Sequence, residues 1–312
     1  MLEVYDHLIA DCETVNQLNR RHLSLELTLT PAEVVELNRQ LVLDEAYWQV
    51  DGSNRHVRRD IIRVVTQAWV IKMRQFHDLG GKSRPEPYLR EELLRSVTRY
   101  SDGRGPAGKW LVVTLCGAAY RPMMSAPTYL QLFDADSTDV VLVRDYYLKG
   151  FRQGITDLSD SLDATFALLP RLLDATAYAG VSVVGTSGGA VPALQFAMAT
   201  GAHAAVAAGP SPPFDPDRRL PDGRLPGQVL QSLAERRPLP RMALLYGRES
   251  LDRPAAEAVA ELAPVTLFEI AEPGETVGHN ALLPLLRRGE LGGFLAEHLD
   301  LPRSAPDPGQ EP

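Results

Sequence analysis

Residues Gly185-Thr186-Ser187-Gly188-Gly189 set a serine between two glycines, each two positions away. A serine hydroxyl is a weak nucleophile until a neighbouring base takes its proton, so its setting decides whether it reacts. On one reading the string is a strained turn that presents Ser187 as a nucleophile. On the other it is a glycine turn holding a structural serine. Val181–Val184 (VSVV) has the pattern of a buried strand, and Ala190–Thr200 (AVPALQFAMAT) that of a helix, with Pro192 tolerated in its first turn. Ser187 then stands at the carboxyl end of a strand, where open α/β sheets place their ligands. In so sharp a turn a side chain at 185 or 189 would meet neighbouring backbone, which favours Gly185 and Gly189. The helix N-terminus adds free N–H groups and a positive dipole end for a developing oxyanion.

Other apolar runs have the same texture. Trp110–Leu115, Val140–Val143, Met242–Tyr246 and Val265–Ile270 are strand-like, and Ala204–Ala208 more weakly so. Helical segments separate most of them, at about 158–178, 188–200 and 254–262. Strands alternating with helices predict an α/β fold, a mostly parallel central sheet with helices on both faces. Residues 1–105 are expected to form a mainly helical N-terminal extension, and 106–302 the sheet core with a short lid at about 209–240. The tail 303–312 is Pro-rich and expected to be disordered. Within the extension, Leu23, Leu25, Leu27 and Leu29 alternate with polar residues and predict a half-buried strand over His22–Thr30. Thr30-Pro31-Ala32-Glu33 is a capping-box pattern that starts a helix. Residues 55–77 predict another, with Val57, Ile61, Val64, Val65, Ala68 and Trp69 on its buried face; its arginines and lysine read as a solvated face rather than a nucleic-acid site.

The strand–Gly-Thr-Ser-Gly-Gly–helix junction resembles the nucleophile elbow, G-x-S-x-G, of the α/β-hydrolase superfamily, and the resemblance covers roughly residues 106–302. It implies that fold, and a histidine and an acid after the serine in chain order. His279, in GETVGHNALL, lies where the superfamily places its histidine. The acid implied is Asp252, with Glu249 as the alternative; Ser250 occupies the position where the commonest pattern has aspartate. Asp252 also precedes Arg253-Pro254 and is a ready N-cap. The implied oxyanion donors are the N–H groups of Gly188 and of Ala118, in Cys116-Gly117-Ala118. Cys116 itself reads as a small buried hydrophobe. Asp145 reads as a loop organiser, and Tyr146 and Trp69 as substrate contacts.

The chemistry implied is acyl transfer: a serine-dependent esterase or thioesterase acting on a small-molecule acyl substrate, without metal or organic cofactor. An acyltransferase using the same triad, and a non-catalytic binding protein of the same fold, are the alternatives. The extension is expected to act as a cap, using Tyr47, Trp48, Trp69 and Phe76. Trypsin-like proteases carry a similar Gly-Asp-Ser-Gly-Gly string, but they are all-β and place histidine and aspartate before serine. Patatin-like lipases share G-x-S-x-G, with Gly80-Gly81 and Asp222 as the counterparts here. Gly80, however, follows a helix and lies far from Ser187 in sequence.

Composition frames these readings. The 312 residues are 45% hydrophobic and 23% charged, as in a globular protein. A net charge of −8 argues against nucleic acid as partner. Two cysteines, Cys12 and Cys116, imply no disulfide framework. Without a signal-like start or a membrane-length apolar run, the expected location is the cytoplasm. Oligomeric state is left open.

Overall fold

The computed structural model describes residues 2–10, 12, 14–43, 56–78, 85–236, 238–248, 250–272, 274 and 276–302. The chain divides into two compact units, Met1–Tyr88 with Ser125–Gln131, and Leu89–Met124 with Leu132–Pro312.

The first unit is helical: α1 Leu2–Ile9, α2 Val15–Thr28, α3 Pro31–Leu43, α4 His56–Asp78 and the short α5 Ala126–Leu130. The alternating leucines, expected as a strand, are corrected to the second half of α2. Thr14 and Gln17 close a capping box at its start. Leu18, His22 and Leu25 then share a buried face at helical spacing, while Leu23 and Leu27 sit half-buried on its flank. Leucine and glutamate are good helix formers, so period-two leucines satisfy a helix as readily as a strand. Thr30 caps α3 as its sequence predicts: its N–H donates to Glu33 (2.7 Å) and its Oγ1 accepts from the Glu33 N–H (3.3 Å). α4 also forms, but turned from the expected face. Thr66, Trp69, Val70 and Met73 are buried, whereas Val64 is 61% exposed and Ala68 is exposed. Two hydrogen bonds pin that side inward, Tyr5 to Thr66 (2.6 Å) and the Trp69 indole N–H to Glu26 (3.0 Å). The side chains of Val57, Ile61 and Phe76, and residues Tyr47, Trp48, Gly80, Gly81 and 303–312, lie outside those described.

The second unit is built on one eight-stranded sheet. Its strands are β1 Leu89–Leu94, β2 Val97–Ser101, β3 Trp110–Leu115, β4 Thr138–Val143, β5 Gly180–Thr186, β6 Ala204–Ala208, β7 Arg241–Gly247 and β8 Thr266–Ile270, in the order β1-β2-β4-β3-β5-β6-β7-β8. β1 and β2 form an antiparallel hairpin, and β2 meets β4 antiparallel; all other pairings are parallel. Every apolar run read as a strand is a strand of this sheet. The hairpin lies in the stretch expected as helical extension, because the β1 sequence LREELL is a charged edge strand with no apolar alternation.

Between the strands run α6 Leu162–Leu172, α7 Ala190–Thr200, α8 Pro226–Ala234 and α9 Arg253–Leu262, and after β8 come α10 Leu282–Arg287 and α11 Leu291–His298. Every residue of β4 and β6 is buried, so both faces of the central sheet are covered. One face packs Leu111, Val113, Val141, Val183 and Leu244 with α6, α7, α8 and α9. On β5, Ser182 donates to the Leu299 carbonyl (2.6 Å), tying down the chain after α11. The carboxyl ends of β3, β5, β6, β7 and β8 are left to loops, and those loops carry the candidate site. No helix among the described residues is long and apolar enough to cross a membrane.

Candidate active site

Parallel register sets which loops meet. Leu115 of β3 pairs with Gly185 of β5, so the chain leaving β3 as Cys116-Gly117-Ala118 runs beside Thr186-Ser187-Gly188. The Gly117 N–H donates to Thr186 Oγ1 (3.2 Å) and ties the two together. Ser187 heads a tight turn, Ser187–Gly189, between β5 and α7, and takes a φ of 54°. A left-handed backbone at a non-glycine residue is strained and persists only where its surroundings fix it. The glycines do so by permitting close approach. A Cβ on Gly185 would stand 2.4 Å from the Gly189 carbonyl oxygen, and one on Gly189 would stand 2.3 Å from that of Leu115. The result holds the Ser187 side chain above the strand ends, at the start of α7.

His279 comes from the loop between β8 and α10, and Asp252 from the turn between β7 and α9. His279 Nε2 lies 2.8 Å from Ser187 Oγ, and its Nδ1 lies 2.8 Å from Asp252 Oδ2. The Asp252 side chain is 14% exposed and that of His279 51%, so the far end of the relay is shielded and the near end open. Asp252 stands at the N-cap position of α9, yet its side chain makes no capping bond. Ser250 supports it instead, accepting the Asp252 N–H at 3.1 Å. Glu249 lies outside the described residues.

The histidine loop is held by contacts that its sequence does not announce. Asn280 donates to the Met123 carbonyl (2.9 Å), anchoring the residue after His279 to the loop that follows β3. Gly209, at the end of β6, leaves room for the ring: a Cβ there would stand 2.9 Å from His279 Cε1. Gly247, at the end of β7, lies under the same loop, its would-be Cβ only 2.1 Å from the Val277 carbonyl oxygen. None of the three belongs to a motif, and each acts through residues distant in sequence.

A cavity of about 320 Å³ opens beside Ser187, lined by Ala118, Gly188, Lys149, Arg152 and Arg218 among others. The Ala118 N–H has no protein partner among the described residues, and Gly188 stands second in the turn that Ser187 opens, where N–H groups have no intrahelical acceptor. Asp145 shapes one wall: its carboxylate accepts the N–H groups of Tyr147 (3.0 Å), Lys149 (2.7 Å) and Phe151 (3.0 Å). Cys116 is buried, and burial pushes its thiol up to about 12, which leaves it protonated and inert.

Neither of the two expected substrate contacts is in the lining of this cavity. Trp69 is 8% exposed within the helical unit, stacked on His22 with its ring centre 4.4 Å away and its N–H spent on Glu26. Its ring and its N–H are thus committed within the helical unit. Tyr146 packs against Tyr120 (5.0 Å between ring centres) and beneath the Arg95 guanidinium, and it is not among the residues lining the cavity.

No family model and no curated protein matches the chain. Among solved structures it is similar to MGS-MChE2, an α/β-hydrolase enzyme from the metagenome of sediments of the Mar Chica lagoon, Morocco. Identity is 14% over 67% of this chain and 98% of that one, at a TM-score of 0.44. It is similar to Est1E from Butyrivibrio proteoclasticus at 11% identity, over 68% and 99% of the two chains, with a TM-score of 0.43. The acylaminoacyl peptidase of Pyrococcus horikoshii gives 11% identity, over 70% of this chain and 42% of that one, at 0.46. Identities this low say nothing of substrate. The strand order, with the serine turn after β5 and the histidine loop after β8, gives this chain the α/β-hydrolase fold that its sequence resembles.

Proposed function

We propose that the protein is a serine-dependent hydrolase that cleaves a small-molecule ester or thioester through an acyl-enzyme on Ser187. The observation that carries this reading is the unbroken relay from Ser187 Oγ through His279 to Asp252, with 2.8 Å at both steps. A structural serine would need neither the positive φ nor the imidazole aimed at its oxygen.

In this reading His279 Nδ1–H donates to the Asp252 carboxylate, which fixes the tautomer that leaves Nε2 free to accept the Ser187 proton. Oγ attacks the carbonyl carbon, and the negative charge gathers on the carbonyl oxygen between the Gly188 and Ala118 N–H groups. Each such donor is typically worth about 3 kcal/mol in the transition state. Collapse breaks the bond to the leaving oxygen or sulfur, which takes the proton from His279. Water then repeats the sequence on the acyl-enzyme: His279 takes a water proton, hydroxide adds to the carbonyl, and Ser187 leaves with the proton returned. The open side of His279 suits the departure of one group and the entry of water.

The test is covalent labelling. A fluorophosphonate should modify the folded protein at Ser187 alone, and Ser187→Ala and His279→Ala should abolish labelling while keeping the native circular dichroism. Folded wild-type protein that resists the reagent would exclude the hydrolase reading and leave a binding protein of the same fold.

A further inference from the structure

The wall of the cavity beside Gly188 balances acids and cations in number but not in how they are paired. Three acids line it, Asp145, Asp215 and Asp217, against three cations, Lys149, Arg152 and Arg218. Two of the acids are committed. Asp145 is turned onto three N–H groups of its own loop. Asp215 accepts the Asp217 N–H (3.0 Å) and the Arg218 Nε–H (3.2 Å), which spends Arg218 as well. The remaining acid, Asp217, is exposed, and it is its backbone carbonyl rather than its carboxylate that meets Arg152.

Arg152 is held by carbonyls only. Its Nε donates to Lys149 O (2.6 Å), and its Nη1 to Asp217 O (2.7 Å) and Arg219 O (3.2 Å). Its Nη2 has no partner, and neither Arg152 nor Lys149 meets a carboxylate among the described residues. Carbonyl dipoles fix the guanidinium in place without neutralising it. Burial, and next the like charge of Arg218, lower its pKa from the ordinary arginine value, against the opposing pull of Asp215, Asp145 and Asp217; what this wall offers an anion is two cations whose charged ends face no carboxylate at contact distance among the described residues. The loop bearing it lies on the nucleophile turn: a Cβ on Gly150 would stand 3.2 Å from the Gly188 carbonyl oxygen.

The cavity also has a side. Its lining includes both proposed oxyanion donors but neither His279 nor Asp252. A leaving group must take its proton from His279, so the part of a substrate that fills this cavity is the acyl part. We infer that the acyl group transferred to Ser187 ends in a carboxylate, held by Arg152 and Lys149. This rests on Ser187 being the nucleophile proposed above. Arginine presents a planar fork suited to a carboxylate, and lysine adds a mobile point charge at the rim.

The experiment compares ethyl hydrogen adipate with ethyl hexanoate, acyl chains of equal length that differ by carboxylate against methyl, with ethanol release as the readout. The half-ester should be preferred in kcat/KM by about tenfold or more, the scale of one charge-assisted hydrogen bond. Arg152→Ala and Lys149→Ala should each collapse that ratio towards unity, and Arg152→Lys should restore part of it. Arg152 also ties three carbonyls, so the Lys149 variant guards against loss of fold; the Lys149 side chain has no partner to lose among the described residues. A preference for hexanoate, or a ratio that neither variant moves, would overturn the inference while leaving Ser187 as nucleophile. If neither ester is turned over, labelling by a carboxyalkyl fluorophosphonate against its alkyl counterpart decides. Faster carboxyalkyl labelling sustains the inference, equal or slower labelling overturns it, and no labelling by either overturns the hydrolase reading with it.

Discussion

Asp252 has two possible uses, because it both precedes a helix and stands within reach of an imidazole. A capping aspartate would accept an N–H from the first turn of α9; here Oδ2 takes His279 Nδ1 at 2.8 Å and no capping bond is made. The expected consequence is that Asp252→Asn keeps the geometry and loses the chemistry. An amide in that place can donate to Nδ1 and stabilise the tautomer that cannot accept the Ser187 proton. The turnover number should fall on the order of a thousandfold or more, with KM little changed. Steady-state rates on any ester that the wild type hydrolyses check this, and a loss under tenfold would reduce Asp252 to a loop anchor. Ser187 and His279 were legible because a short string and its chain order carry them. The acid was less so, since Ser250 stands where aspartate is commonest. Ser250 turns out to hold the Asp252 N–H, a second-hand role that no motif encodes.

At the scale of elements, the loop bearing His279 rests on a glycine at the end of β7. Gly247→Ala would drive a methyl against the Val277 and Gly278 carbonyls, which now lie 2.1 and 2.5 Å from where it would stand. Both atoms are backbone, so the loop must move and take His279 with it. The sheet should survive, while kcat falls by about a hundredfold, as for other displacements near 1 Å. Circular dichroism beside kcat separates the two, and an unchanged kcat would show that the loop yields without moving the ring. The parallel strands were legible because fully buried strands are continuous apolar runs, such as WLVVTL. The edge strand LREELL was not, because an edge strand presents its charges to water and leaves no periodicity to read. Leu23 to Leu29 misled for the opposite reason: their period is real, but a helix buries a different subset of them. The cavity wall bearing Lys149, Arg152 and Arg218 joins two loops, near 150 and near 218, that only the fold brings together.

For the whole molecule, acid should act first through a histidine outside the site. His22 is 2% exposed, stacked on Trp69 and beside Tyr5, with Nδ1 unpartnered; burial lowers its pKa to about 4. The unfolded chain would protonate it near the ordinary histidine value of about 6.5. Above that pH both states are neutral and stability is complete. As pH falls towards about 4 the unfolded state gains a proton that the folded state refuses, and the loss grows to about 3 kcal/mol. Urea unfolding followed by tryptophan fluorescence should therefore show wild type weakening more than His22→Phe between about pH 7.5 and 4.5. Equal pH dependence of the two would place the sensitivity elsewhere.

One segment bears on how the chain is made. Ser125–Gln131, the start of the connection from β3 to β4, belongs to the helical unit, and all five residues of α5 are buried. The N-terminal helices therefore lack a piece of their own interior until three strands of the sheet have left the ribosome. Neither unit is a separable module in the genetic sense: a clone ending at Tyr88 would leave the helices short of α5, and one beginning there would leave α5 without its helices. Transplanting either one requires a graft at three cuts rather than a truncation at one.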